Sequence, residues 1–340
     1  MNRSRLVLFV SVVIVALGVT AGLGVLWLDS ARAAVGPLPG EGLVLPADTQ
    51  FVMGFDVKRL VASPVWTRYG KDSGMRPEGL QQLEAWTGLD PARDIDQIVV
   101  AGRGGAGKKQ PPPLVMAMGR FDLKKLGWSL DKVQQATTSD LAGTTLFTME
   151  QKGVSSTLAL LDAGTLLFGP TERVRTVVTS HSRGETPLRQ NEELLGLVES
   201  VKPGSTFWVV GGQSILARMP NAIPGPGGGG GAAGMNLPAL QSVIVTGDLD
   251  PQVSLALTGV AADAAAATKL ADVLRGLVAL MSLQAQQKPE LAQLASAFSI
   301  ATEANQVLVN ARLPYELLDA LQPKKKVAPA EEEEPAAVTP

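Results

Sequence analysis

No charged residue interrupts the stretch from Leu6 to Leu28, a run dominated by Leu, Val, Ile, Ala and Gly and preceded by Arg3 and Arg5. Backbone placed in hydrocarbon must satisfy its own N–H and C=O groups, so a lone run of this kind is viable there only as a helix. At 1.5 Å rise per residue, roughly 20 apolar residues cross a bilayer core. Trp27, at the far end, suits a membrane interface. Residues 1–33 are therefore expected to form a signal anchor, a single-pass transmembrane helix. The alternative is a signal peptide cut near Ala33, after the small-x-small triplet Ala31-Arg32-Ala33. The run exceeds the roughly 7–15 residues of an ordinary signal-peptide core, which favours retention.

Charge sets the orientation. Arg3 and Arg5 precede the run, whereas Asp29 and Arg32 follow it and nearly cancel. The positive-inside rule leaves the N-terminus in the cytoplasm and puts the bulk outside it. The expected location is the inner (cytoplasmic) membrane, with an extracytoplasmic, periplasmic body; after cleavage the body would be free and exported. With no cysteine in the chain, that body takes neither a lipid on a thiol nor a disulfide, and rests on its packed core.

Three segments cannot pack as regular elements. Residues 34–45 are rich in Gly and Pro and read as a linker. Residues 223–234, Ile-Pro-Gly-Pro followed by a glycine run, read as a flexible loop. Residues 323–340, with Lys324 to Lys326 and then Glu331 to Glu334 among Ala and Pro, read as a disordered charged tail.

What lies between shows internal similarity. Phe55-Asp-Val-Lys-Arg-Leu60 resembles Phe121-Asp-Leu-Lys-Lys-Leu126, each after a strand-like run. Asp56 and Asp122 suit the N-cap of a helix, accepting from the free N–H groups of its first turn. Pro46 to Gly54 resembles Pro203 to Gly211, and Ile98 to Gly102 resembles Val243 to Gly247. Long helices are expected over Asp122–Ala136 and Asp263–Gln287, hairpins around Gly153 and Asn305, and closing helices from Pro170 and Pro314. The order β-α-β-β-α-β-β-α thus occurs twice, over 46–200 and 201–322. The fold class expected is α+β, a duplicated unit of antiparallel sheet with helices packed on one face.

Motifs that could carry chemistry are sparse. Gly102 to Lys108 fits the GxxxxGK spacing of a phosphate-binding loop, but Lys109 stands where a hydroxyl should reach Mg²⁺, and Pro111 to Pro113 cannot continue a helix. A mobile hairpin loop with a basic tip, or a weak contact with anionic headgroups, fits better. His181 is the single histidine, at the end of a helix-like run where a cation suits the dipole. Asp90, Asp94 and Asp96 precede a strand and lack the central Gly and closing Glu of a calcium loop. Asp248 and Asp250 flank a turn before Pro251, so turn and cap duty accounts for these carboxylates. No catalytic, cofactor-binding or metal-binding residue is assigned. The net charge of −2 and 4% aromatic content offer neither a basic face nor stacking platforms for nucleic acid, and no nucleotide is expected.

The function expected is a non-catalytic, membrane-tethered envelope protein that binds or organises a protein partner. The alternatives are a carrier or sensor of an apolar ligand such as lipid, held between sheet and helices, and a hydrolase built on Ser, Asp or Lys with His181, Asp94 or Asp96.

Overall fold

Runs such as Phe51-Val52-Met53, Val99-Val100-Ala101 and Phe207-Trp208-Val209-Val210 are apolar without alternation. Strands of that kind have two faces to bury. The computed structural model describes residues 38–69, 91–103, 112–121, 136–151, 153–213, 222–223, 235–236, 240–284 and 289–321. Within them the strands are β1 (Phe51–Asp56), β2 (Ile95–Gly102), β3 (Leu114–Gly119), β4 (Ala136–Leu141), β5 (Thr144–Gln151), β6 (Val154–Asp162), β7 (Thr165–Pro170), β8 (Phe207–Gly212), β9 (Ala222–Ile223), β10 (Met235–Asn236), β11 (Leu240–Asp248), β12 (Val253–Ala261), β13 (Phe298–Glu303) and β14 (Gln306–Leu313). The helices are α1 (Val57–Ala62), α2 (Pro64–Tyr69), α3 (Pro91–Asp94), α4 (Thr171–Ser182), α5 (Glu192–Glu199), α6 (Ala264–Gln284), α7 (Pro289–Ser296) and α8 (Tyr315–Leu321).

Twelve strands form one antiparallel sheet in the order β13-β14-β12-β11-β8-β1-β2-β3-β7-β6-β5-β4; β9 and β10 pair separately. The architecture is α+β and mostly antiparallel. The two series share this sheet and meet at its centre, where β1 pairs β8 from Phe51 opposite Gly211 to Phe55 opposite Phe207. Outward from β1 run β2, β3, β7 and β6; outward from β8 run β11, β12, β14 and β13. The first series carries the additional hairpin β4–β5 at its outer end.

Two phenylalanines hold like places in the sheet. Phe51 pairs with Gly102 and lays its ring where that glycine's Cβ would be; Phe207 does the same to Gly247. Phe51 and Phe207 thus face one way, and their neighbours Val52 and Trp208 the other. A slip of one residue moves a side chain to the other face, and Phe51 and Phe207 share one core cluster while Val52 and Trp208 share another.

Helices cover both faces, not one. On the first face lie Phe51, Phe55, Ile98, Val100, Phe207 and Val243, covered by Val57 of α1, Leu294 of α7 and Leu317 of α8. Further out on that face, Ala267, Leu270 and Ala271 of α6 pack on Val307 of β14. On the second face lie Val52, Val99, Trp208 and Val210, covered by Val174, Val177 and Val178 of α4 and by Leu194 and Val198 of α5. The correction follows from the unbroken apolar runs of the central strands.

The expected linker is structured where it is described. A 3-10 turn at Gly40–Val44 leads to Leu45, which is fully buried with Val44 in the second-face core. Helix α6 begins one residue after the expected start, and β2 and β11 span the strands that the sequence predicts over Ile95–Gly102 and Leu240–Asp248. The span Leu6–Leu28, the loop 224–234, the tail 323–340 and the helix expected from Asp122 lie outside the described residues, except that Ala136 opens β4. No described helix is long and apolar enough to cross a membrane.

Candidate functional site

Asp56 caps α1, its carboxylate accepting from the Arg59 N–H at 3.0 Å. The capped helix aims Arg59 across the seam between the two series. There its Nη1 donates to the Gly204 carbonyl and stands 3.3 Å from Asp248 Oδ1, which also accepts from Thr206 Oγ1 at 3.0 Å. The helix-capping Asp56 and Asp248, at the end of β11, thus meet one arginine. These groups are close to half exposed, so the cluster positions β8 against β1 without much net electrostatic stabilisation.

The other sequence candidates do not converge. Asp96 Oδ1 lies 3.2 Å from Lys58 Nζ, while Asp94 pairs with its neighbour Arg93 at 2.9 Å. Asp90 lies outside the described residues, as does the phosphate-loop-like segment after Arg103. His181 Nε2 stands 3.8 Å from Asp162 Oδ2 at the end of α4, both partly exposed. Among the described residues, no group of three His, Cys, Asp or Glu could hold a metal ion.

Two polar arrangements escaped sequence reading. Asp48 lies between Arg173, at 3.1 Å, and Arg103, at 3.4 Å. Burial pulls the Arg173 guanidinium below the usual arginine range, and Asp48 opposes that shift. Tyr315 is buried, donates to the Leu249 carbonyl and carries Arg68 over its ring at 5.0 Å. Burial pushes its hydroxyl pKa up. Both join segments far apart in sequence, so no local pattern announces them.

Two surfaces stand open at the margins of the fold. The first is β4, the last strand of the sheet beyond β5. Thr137, Thr138, Ser139 and Asp140 are all exposed, on both faces of the strand. It carries one charge and no proline, so little of the usual edge protection is present. The opposite edge, β13, differs: Arg275 of α6 reaches over it and donates to the Ile300 carbonyl at 3.3 Å. The sequence signal for β4 was the run Asp140-Leu-Ala-Gly143, whose last two residues take positive φ, 53° and 80°, as a tight hairpin turn requires.

The second surface is the outer flank of α6. Lys269, Val273, Gly276 and Leu280, with Ala265, Thr268 and Asp272, form an open face presented by this one helix. Leu280 is 38% exposed and Leu283 70%. Of the stripe Leu270, Val273, Leu274, Leu277, Val278 and Met281 that helical spacing puts on one face, Leu270 and Leu274 pack on the sheet while Val273 lies on the outer flank.

No protein-family model matches the chain, and no curated protein is similar to it in sequence. Among solved structures it is similar to crystal form I of TP0453, with a TM-score of 0.47 and 10% identity, over 86% of this chain and 98% of that one.

Proposed function

We propose that this chain is a membrane-tethered, extracytoplasmic envelope protein, built from a duplicated α+β unit, that binds a protein partner and catalyses no reaction. The tether is Leu6–Leu28, and the charge balance of Arg3 and Arg5 against Asp29 and Arg32 supports export of the rest. The observation that carries partner binding is the β4 edge. An extended segment of a partner can add there as a further strand through main-chain hydrogen bonds. A photoreactive amino acid at Asp140 of the full chain, in its native membrane, should cross-link to an envelope polypeptide. Proline at Thr138 and, in a second variant, at Ser139 tests the mode, because neighbouring residues alternate their N–H groups and one of the two must point outward. One of these variants should lose the cross-link; cross-linking absent from the parent chain, or retained by both variants, removes the reading.

A second reading, carriage of an apolar ligand, has support of its own in the outer face of α6. That open face carries two exposed leucines, Leu280 and Leu283, on which an apolar molecule could lie. Co-purification of lipid with the full chain, analysed by mass spectrometry after native extraction, tests it; a lipid-free extract counts against it.

A further inference from the structure

We infer that β4 pairs antiparallel with β4 of a second copy of this chain, the two-fold axis passing at Thr138. This rests on the reading of β4 as a partner-binding edge and names the partner. The two ends of the sheet are built differently. In the second series β13 closes the sheet, and Arg275 reaches over it. In the first series β6 stands as far out from β1 as β13 does from β8, and the hairpin β4–β5 carries the sheet past it to an unguarded edge. Thr138 and Asp140 lie on the first face of that edge, Thr137 and Ser139 on the second, and all four are exposed. A strand added beside them therefore has both of its own faces in water. An incoming strand with an apolar face would leave that face uncovered, so the partner strand must be polar on both sides. β4 is itself such a strand.

Strand geometry restricts how two copies can meet. Outward N–H groups fall on alternate residues of β4, the same ones in each copy, so a symmetric antiparallel pair sets one residue opposite itself. With Thr138 opposite Thr138, Thr137 lies opposite Ser139 of the second copy. Each of these positions then matches hydroxyl with hydroxyl, a favourable cross-strand pair. The charge also fits. In this register the two Asp140 stand about 14 Å apart by strand rise and spacing, beyond the screening length of about 8 Å at physiological ionic strength. Centring on Ser139 would bring them to about 8 Å, and centring on Asp140 would set like charges face to face, which is destabilising. Strands this short bury little area, which suits copies concentrated by a common membrane tether.

The chain has no cysteine, so an introduced thiol is its only one. Thr137→Cys, Thr138→Cys, Ser139→Cys and Asp140→Cys are made singly in the full chain, in its native membrane. Leu283→Cys, 70% exposed on α6, reports chance collisions. After mild oxidation, non-reducing electrophoresis reads the band at twice the mass of the chain. Cβ atoms directly opposite one another come close to disulfide reach, and those two residues further along do not. Thr138→Cys should therefore exceed each other variant several-fold, and Asp140→Cys should not exceed Leu283→Cys. Thr137→Cys and Ser139→Cys, carried on differently tagged copies, should join to each other more than either joins to itself. A Thr138→Cys band no stronger than that of Leu283→Cys, or a maximum at another of the four positions, overturns the inference. The photoreactive residue at Asp140 separates it from the reading it rests on. Capture of a different polypeptide, with no thiol-linked dimer, overturns the second copy and leaves β4 as a partner-binding edge. No cross-link of either kind overturns both.

Discussion

At the residue scale, the centre of the sheet depends on aromatic rings that occupy the space over glycines. The Trp208 indole lies where a Cβ on Gly54 would be, across the ladder between the two series. Gly54→Ala must push that ring aside in a packed core. We expect a loss of about 1–3 kcal/mol, the usual cost of overpacking, read as a lower denaturant midpoint at unchanged slope. Tyr315 gives the pH counterpart. Burial raises its pKa above the usual tyrosine value, with Asp250 adding to the shift, while a backbone hydrogen bond from Val65 and Arg68 act the other way. The folded protein therefore holds this proton more tightly than the unfolded chain does. The associated stability is complete below pH 10 or so and declines as pH rises through the folded-state pKa. Melting temperature followed from pH 8 to 11 should fall over the upper part of that range, and the fall should be smaller in Tyr315→Phe.

At the element scale, legibility tracked locality. The Asp56 cap, the β2 and β11 bounds and the core stripe of α6 rest on neighbours a few residues apart, and periodicity or capping chemistry exposes them. The outer face of α6 was half visible, because its apolar outer residues could equally be read as core; only the packing shows which stripe meets the sheet. Strand β4 starts where the expected helix ends, at Ala136, and the turn at Asp140–Gly143 is its local signal. That turn yields a prediction. Ala142 holds φ at 53°, a region that strains a Cβ-bearing residue and that Asn tolerates better. Ala142→Asn creates the Asn-Gly pair favoured in such hairpins and should stabilise the fold by about 1 kcal/mol, seen in equilibrium unfolding. Fluorescence or circular dichroism showing a loss of similar size would mean that the hairpin adopts another turn.

At the scale of the molecule, the helices could not be assigned to faces by sequence, because unbroken apolar strands state only that both faces are buried. Both main core clusters draw on the two series. The first contains Phe51 and Leu317, and the second joins Val52 to Trp208 and Val210. Neither series can keep its core when the other unfolds. Thermal unfolding monitored by far-ultraviolet dichroism and by tryptophan fluorescence should therefore give one coincident transition. Two separated midpoints would show that the series fold independently and that the shared ladder is weak.

The pairing of β1 with β8 also imposes a waiting time on biogenesis. Strand β1 ends at Asp56 and its partner begins at Phe207. At ordinary rates of synthesis that gap is on the order of ten seconds. Through that interval a hydrophobic ladder edge emerges unzipped, on a polypeptide with no cysteine to restrain it. The nascent chain is thus most prone to illicit strand exchange before its second half arrives, and escort by a holdase would matter more there than at any later stage.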